Sequence, residues 1–222
     1  MTAVSTAVTA VVLDMDGVLI DSEQLWDEVR EELARECGGR WHERAQADMM
    51  GMSSTEWSRY MHDVIEVAAP PEEINAEVVR RLLARYRGSL PLMPGAVEAV
   101  ERLAARWPLG LASSSNREVI DAVLELAGIA RYFRATVSSE EVERGKPAPD
   151  VYFEAARRLE FDPTNCAAVE DSANGIRSAR AAGMRVLAIP NPHYPPSEGV
   201  LALADVVLHS LDELTPDLVS AS

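Results

Sequence analysis

The pattern that most constrains the fold is an alternation of short apolar runs with amphipathic helical stretches. Each run has the length of a buried strand, and apolar residues at helical spacing follow it. The runs lie at Ala10-Val11-Val12-Leu13 and then near 109–112, 135–137, 167–169, 186–189 and 206–208. Strand–helix alternation of this kind is typical of a parallel sheet with helices on both faces. We therefore predict an α/β fold with a doubly wound parallel-sheet core.

Residues 22–90 interrupt the alternation, because they show helical spacing and no strand pattern. A helix is predicted to begin near Glu23, with Ser22 as its N-terminal cap. A weaker helical stretch is expected over about 42–50, and two longer helices follow it. This segment is therefore predicted to be entirely helical.

The position of the helical segment predicts two domains. Residues 1–21 and 91–222 form the predicted α/β core, and residues 22–90 form a small helical cap inserted after the first strand. An insertion at this point lies over the strand ends, where it can act as a lid.

Two carboxylates directly follow the first predicted strand. Asp14 and Asp16 are two residues apart, so their side chains point to the same side of an extended segment. Like charges held this close repel each other unless a proton or a cation lies between them, and a hard divalent cation such as Mg²⁺ suits oxygen ligands. The alternative for this stretch is an acidic turn that uses Gly17 for its left-handed backbone.

Three other segments carry polar residues at the carboxyl ends of strands or in the loops beyond them. Ser113 and Ser114 precede a helix, where hydroxyls and free N–H groups suit a phosphate oxygen. Lys146 lies between glycine and proline in a stiff loop and can neutralise a carboxylate and a phosphate. Asp171 is predicted to bind the metal, with Glu170 behind it. Helix capping or a solvated side chain would explain each segment alone. Because all of them are expected at one edge of the sheet, they together indicate a common site.

Composition narrows the possible partners. The net charge of −15 argues against binding of a nucleic-acid backbone, and no apolar run is long enough to span a membrane. Cys37 and Cys166, far apart in sequence, are typical of reduced thiols in a cytoplasmic protein. We expect a monomer that acts on a small phosphorylated metabolite. Sequence motifs for serine hydrolases, nucleotide-triphosphate loops and dinucleotide binding are absent.

Taken together, the four segments resemble the motifs of the haloacid dehalogenase superfamily of phosphohydrolases. They occur in the family order as Asp14-Met15-Asp16-Gly17-Val18, Ser113, Gly145-Lys146-Pro147-Ala148-Pro149-Asp150 and Glu170-Asp171-Ser172-x-x-Gly175. The match covers nearly the whole chain and implies a Rossmann-like core. The helical insertion resembles the cap of the β-phosphoglucomutase-like and phosphoglycolate-phosphatase-like subgroup.

The resemblance implies a role for each motif. Asp14 would attack phosphorus and form an aspartyl-phosphate, and Asp16 would protonate the leaving alcohol and later deprotonate water. Mg²⁺ would bind Asp14, the backbone carbonyl of Asp16, and Asp171. Ser113 and Lys146 would hold the phosphoryl oxygens. The intact second aspartate favours phosphate esters over halides or phosphonates as substrates.

Two departures weigh against a mutase. Trp26 stands where the β-phosphoglucomutases have a hinge histidine, and the cap loop Gly51-Met52-Ser53-Ser54 lacks their phosphate-gripping arginine. Arg80 or Arg81 could compensate for that loss. The run 21–27 instead resembles sugar-phosphate and sugar-alcohol-phosphate phosphatases. A β-phosphoglucomutase-type transferase and a phosphoglycolate-type phosphatase remain the alternatives, beside a scaffold that only binds phosphorylated ligands.

Substrate choice is expected to depend on the cap. The candidate substrate-binding residues there are Glu23, Trp26, Met52 and Ser53. Trp26 could stack on a sugar ring or pack the hinge. A small cap suits a small metabolite, because its closure has to exclude water.

Overall fold

A computed structural model describes residues 7–220 of the chain. Six strands form one sheet: β1 (Ala10–Leu13), β2 (Leu109–Ser113), β3 (Phe133–Ser138), β4 (Cys166–Glu170), β5 (Arg185–Ala188) and β6 (Val206–Val207). All neighbouring strands are parallel, in the order β3-β2-β1-β4-β5-β6. The predicted doubly wound, Rossmann-like α/β fold is therefore confirmed.

Ten α-helices lie within the described residues. They are α1 (Glu23–Glu36), α2 (Ala45–Met49), α3 (Ser54–Asp63), α4 (Pro71–Gly88), α5 (Ala96–Ala104), α6 (Arg117–Leu126), α7 (Asp150–Leu159), α8 (Ala173–Ala181), α9 (Glu198–Leu201) and α10 (Pro216–Ser220). The first four lie between β1 and β2, so the described chain from 22 to 90 is helical, as expected. No helix within residues 7–220 combines the length and the apolar character needed to cross a bilayer.

The central strand β1 is buried on both faces. Val11 and Leu13 belong to one apolar cluster, which continues into the inserted helices, whereas Ala10 and Val12 belong to a second cluster on the other face. This division follows from the two-residue period of a strand. Helices cover both sides of the sheet, which accounts for the continuous apolar run in the sequence.

The inserted helices leave and rejoin the core at adjacent points. Ile20 and Leu92 form an antiparallel bridge. The amide of Asp21 donates to the carbonyl of Pro91 at 2.8 Å, and that of Met93 donates to Leu19 at 2.9 Å. The two connections between the core and the insertion therefore run side by side.

One local prediction was wrong, and a second was right about the element but too long. Ser22 precedes α1, but its side chain does not cap the helix. Its hydroxyl donates instead to Asp16 Oδ1 at 2.5 Å, because a stronger acceptor lies within reach. The helix expected over 42–50 is confined to α2, since the chain before it forms a turn. Cys37 and Cys166 are free thiols, as predicted.

Candidate active site

The predicted catalytic residues meet at the carboxyl edge of the sheet. β1 lies between β2 and β4, with Leu13 level with Leu111 and Val169, so the chain segments that follow these three strands emerge side by side. Asp14, Asp16, Lys146 and Asp171 line one cavity, together with residues of the inserted helices. Open parallel sheets bind ligands at this edge.

Lys146 connects two carboxylates in the interior. Its ammonium lies 2.9 Å from Asp14 Oδ1 and 2.6 Å from Glu170 Oε1, and all three side chains are buried. Burial alone would lower the pKa of Lys146, but the two carboxylates outweigh it and raise that pKa above its ordinary value. The lysine is therefore held as a cation beside Asp14.

Glu170 uses both of its carboxylate oxygens within the protein. Oε1 accepts hydrogen bonds from Lys146 and from the Tyr152 hydroxyl, at 2.6 and 2.7 Å. Oε2 accepts the backbone N–H of Asp171 at 3.2 Å and the hydroxyl of Ser172 at the same distance. A side chain engaged in this way orients Lys146 and the Asp171 loop, which agrees with the outer position expected for Glu170.

Two glycines allow this close packing. A Cβ atom on Gly17, whose φ is +79°, would lie 1.9 Å from Asp171 Oδ2. A Cβ atom on Gly175 would lie 1.9 Å from the carboxyl carbon of Glu170. Any side chain at either position would displace a carboxylate, which explains why glycine follows each acidic motif.

The buried carboxylates form a site that fits a divalent cation. One oxygen each from Asp14, Glu170 and Asp171 can lie within 4.8 Å of one another. Burial and the charge of Glu170 raise the pKa of Asp14 to about 8, although Lys146 opposes the change. Burial and Glu170 likewise raise the pKa of Asp171 well above its ordinary value. One lysine does not balance three carboxylates, and oxygen ligands suit Mg²⁺.

The Asp16 side chain points away from this cluster. Its Oδ1 accepts hydrogen bonds from Ser22 at 2.5 Å and from Trp26 Nε1 at 3.2 Å. Its Oδ2 accepts the hydroxyl of Ser115 at 2.7 Å. The carboxylate therefore lies between the core and α1, lining the cavity but outside the group of metal-compatible oxygens.

The three serines that end β2 are placed differently. Ser113 is fully buried, and its hydroxyl accepts the N–H of Ser115 and lies 3.5 Å from Asp16. Ser114 and Ser115 line the cavity, and the hydroxyl of Ser114 donates to the Gly51 carbonyl. Ser115 was missed by the sequence analysis. The sequence did contain a signal for it, because Ser115 lies two residues after the predicted site residue Ser113. Side chains two residues apart in an extended segment point to the same side.

The inserted helices supply the opposite wall of the cavity. Glu23, Trp26 and Met52 line it, as proposed from the sequence. Ser53 is not among the lining residues in the described chain, and its hydroxyl and backbone form a capping box with Glu56 at the start of α3. The cavity therefore extends from the acidic cluster to the inserted helices.

One cation on this wall was not foreseen. Arg30 lines the cavity beside Trp57, whereas Arg81 pairs with Glu36 and Glu77 on the outer surface of the helices. Arg80 also pairs with Glu77. Arg30 could have been found from its spacing, because Glu23, Trp26 and Arg30 fall on one face of α1.

Comparison with known proteins agrees with this geometry. The family model for haloacid dehalogenase-like hydrolases matches residues 8–183. Hexitol phosphatase B of Escherichia coli is 35% identical over 94% of this chain and 95% of its own. A probable pseudouridine-5'-phosphatase of Drosophila melanogaster is 31% identical over 95% of this chain and 93% of its own. The crystal structure of CbbY from Rhodobacter sphaeroides in complex with phosphate has a TM-score of 0.81, at 26% identity, covering 93% and 96% of the two chains.

The chain therefore belongs to the haloacid dehalogenase-like hydrolase family, as its four motifs predicted. The family match and the phosphatase relatives identify it as a phosphoric monoester hydrolase.

Proposed function

We propose that this protein is a Mg²⁺-dependent phosphatase that hydrolyses sugar or sugar-alcohol phosphates through an aspartyl-phosphate intermediate. The observation that carries the proposal is the buried group of Asp14, Lys146 and Asp171, which opens into the same cavity as Asp16 and the inserted helices. This arrangement supplies a nucleophile, a cation and an acid–base group on one side of a space that can hold a small ester.

Asp14 is the proposed nucleophile. Its carboxylate attacks phosphorus and the alcohol leaves, so that one difficult step becomes two easier ones. Lys146 at 2.9 Å keeps the carboxylate oriented and, with the hydroxyl and N–H groups of Ser114, holds the phosphoryl oxygens. The Ser113 hydroxyl, which the resemblance assigned to the phosphate, is buried and accepts the N–H of Ser115, so it acts by holding the turn that carries Ser114. Water then attacks the aspartyl-phosphate and releases inorganic phosphate.

Asp16 is the proposed acid and base. It gives a proton to the leaving oxygen in the first step and takes one from the attacking water in the second. Its contacts with Ser22, Trp26 and Ser115 fix the carboxylate at the boundary between core and cap. An alcohol needs this proton because an alkoxide is a poor leaving group.

The metal would be held by Asp14, by Asp171 and by the backbone carbonyl of Asp16, with Glu170 behind them. When bound, Mg²⁺ offsets the repulsion between the carboxylate and the incoming phosphate and polarises the phosphoryl oxygens. Asn191 donates to Asp171 Oδ2 at 3.4 Å and helps to orient that carboxylate.

We assign residues 22–90 to a cap domain and residues 1–21 and 91–222 to the core, of which 1–6 and 221–222 lie outside the described residues. The side-by-side connections at Ile20 and Leu92 support this division. Glu23, Trp26 and Met52 of the cap line the cavity and are the residues proposed to contact the leaving group. The hexitol phosphatase relative supports a sugar or sugar-alcohol phosphate as the substrate.

The test measures phosphate release with Mg²⁺ from sugar, sugar-alcohol, nucleotide and short-acid phosphates. Hexitol or hexose phosphates should release free phosphate fastest, and Asp14→Asn should abolish this release. Preference for phosphoglycolate would identify the alternative phosphatase. Conversion of β-glucose 1-phosphate to the 6-phosphate, stimulated by glucose 1,6-bisphosphate and with little free phosphate, would identify a mutase. Binding of these esters without turnover by the wild-type protein would indicate a scaffold.

A further inference from the structure

The cavity has two ends with different chemistry. Asp14, Lys146 and Asp171 line the end proposed to take the phosphate. Glu23 and Arg30 line the other end, among the side chains of three methionines and two tryptophans. The second end therefore combines an acceptor, a cationic donor and apolar surface within the space left for the alcohol.

Arg30 is held in one orientation by two aromatic rings. Its guanidinium carbon lies 4.6 Å from the ring centroid of Trp26 and 4.7 Å from that of Trp57. The two rings pack edge to face at 5.9 Å, and all three side chains are buried. Cation–π contacts with these two neighbouring rings hold the guanidinium in place before any ligand arrives.

The hydrogen-bonding capacity of Arg30 is largely unused. Its Nη1 donates to Gln46 Oε1 at 3.3 Å. Its Nε is buried and has no hydrogen-bond partner within residues 7–220, although the residue is only 5% exposed. Buried polar groups in folded proteins normally have partners, and a guanidinium carries five N–H donors. Because Arg30 also lines the cavity, its unengaged N–H groups leave hydrogen-bonding capacity for a ligand there.

Gln46 joins Arg30 to the acceptor beside it. Its Nε2 donates to Glu23 Oε2 at 2.9 Å and to the backbone carbonyl of Glu23 at 3.2 Å. The amide thus accepts from the arginine and donates to the glutamate, which fixes the orientation of both. Glu23 and Arg30 present an acceptor and a donor to the same space.

We propose that Arg30 and Glu23 form a subsite that binds the hydroxyl groups of a neutral polyol leaving group and disfavours anionic ones. This inference rests on the phosphatase function proposed above and specifies the class of alcohol. Each hydroxyl donates one hydrogen bond and accepts others, so a chain of hydroxyls matches the paired donor and acceptor. The neighbouring methionines contact its carbon skeleton.

The charges around the subsite distinguish a neutral ligand from an anionic one. Arg30 faces two carboxylates, Glu23 and Asp16, at this end of the cavity. When Glu23 is ionised, the two carboxylates outnumber the one cation, and a second phosphate or a carboxylate on the leaving group would meet them at short range. Burial raises the pKa of Glu23 to about 7, so this repulsion is strongest above that pH. A neutral polyol has no such repulsion and still satisfies the arginine.

The first experiment uses the wild-type enzyme with Mg²⁺ and four substrates. These are sorbitol 6-phosphate, the monophosphate of 1,6-hexanediol, p-nitrophenyl phosphate and phosphoglycolate. The diol keeps the chain length but lacks the internal hydroxyls, so its kcat/KM should be about 10- to 100-fold lower than that of sorbitol 6-phosphate. Phosphoglycolate should also be poorer than sorbitol 6-phosphate.

The second experiment compares Arg30→Met and Arg30→Lys with Arg35→Met, an exposed arginine on the same helix. The readout is the ratio of kcat/KM for sorbitol 6-phosphate to that for p-nitrophenyl phosphate, which has no hydroxyl groups to place. Arg30→Met should lower this ratio about 10- to 100-fold, since one or more charged hydrogen bonds are lost. Arg30→Lys should restore part of it, and Arg35→Met should leave it unchanged.

The outcomes separate this proposal from the proposed function. Absence of phosphate release from every substrate would refute the phosphatase itself. Normal hydrolysis with equal kcat/KM for sorbitol 6-phosphate and the diol would overturn only the subsite. A preference for phosphoglycolate would overturn the prediction that the subsite favours a neutral leaving group over an anionic one. If Arg30→Met does not fold, the wild-type comparison of the two alcohol phosphates still decides the question.

Discussion

Replacing Asp14 by asparagine should stabilise the metal-free protein while it removes the proposed nucleophile. Burial and Glu170 raise the pKa of Asp14 from 3.8 to about 8, against the opposing effect of Lys146. Between these two values the folded protein keeps a proton on Asp14 that the unfolded chain releases. The stability of the wild type therefore falls as pH rises across this window. Asparagine resembles the neutral acid and has no proton to lose.

The size of the effect follows from the same pKa values. Each pH unit within the window costs the wild type about 1.4 kcal/mol of unfolding free energy. The advantage of Asp14→Asn should therefore be roughly 4 kcal/mol at pH 7 and level off above pH 8. The variant loses the ion pair of Asp14 with Lys146 at 2.9 Å, but the Asn Oδ1 can still accept a hydrogen bond from Lys146, and Lys146 keeps its partner Glu170 at 2.6 Å.

Urea unfolding in the presence of a chelator measures this difference directly. The free energy of unfolding is determined for wild type and Asp14→Asn at intervals from pH 5 to pH 8, with Asp63→Asn as an exposed control. The gap between Asp14→Asn and wild type should widen by roughly 3 kcal/mol from pH 5 to pH 7. A gap that does not change with pH, or a less stable variant at pH 7, would refute the reasoning. Added Mg²⁺ should narrow the gap by binding the charged site of the wild type.

Three further predictions concern the site. Chelation should abolish phosphate release, and Asp171→Asn should raise the Mg²⁺ concentration needed for half-maximal activity about 10- to 100-fold, measured by titration of the metal. Asp16→Ala should slow hydrolysis of sorbitol 6-phosphate about 100- to 10,000-fold. Hydrolysis of p-nitrophenyl phosphate should slow far less, because nitrophenolate leaves without a proton. Equal losses for the two substrates in steady-state assays would refute the acid–base role. Gly175→Ala should lower the free energy of unfolding in urea by about 1–3 kcal/mol, because the added Cβ would lie 1.9 Å from the Glu170 carboxyl carbon. An unchanged free energy of unfolding would contradict that packing.

The sequence was informative wherever a local pattern determines a local structure. The apolar run before Asp14 predicted β1, and the strand–helix alternation predicted a parallel sheet whose carboxyl edge gathers the polar residues. The order of the strands was not predicted, because the apolar pattern of a strand buried on both faces does not identify its neighbours. Lys146 was foreseen as a partner of the nucleophile, since its loop follows β3.

The errors and omissions arose where tertiary contacts compete with local preference. Ser22 has the residue type and position of a helix cap, but Asp16 lies within reach and accepts the hydrogen bond of its hydroxyl. The spacing of α1 places Arg30 on the same face as Trp26, but it does not show how far the guanidinium is enclosed. The approach of Trp57 from α3, which brings together residues far apart in sequence, encloses the arginine.

The adjacent connections between the inserted helices and the core have a consequence for how such a protein diversifies. Because Ile20 and Leu92 are bridge partners, a different insertion with equally close ends could replace the existing one without displacing β1 or the strands beside it. Such an exchange would leave Asp14 in place and bring a new set of residues to the position of Arg30. In this fold the core determines the reaction and the inserted segment determines the substrate, so the substrate can change during evolution while the reaction stays the same.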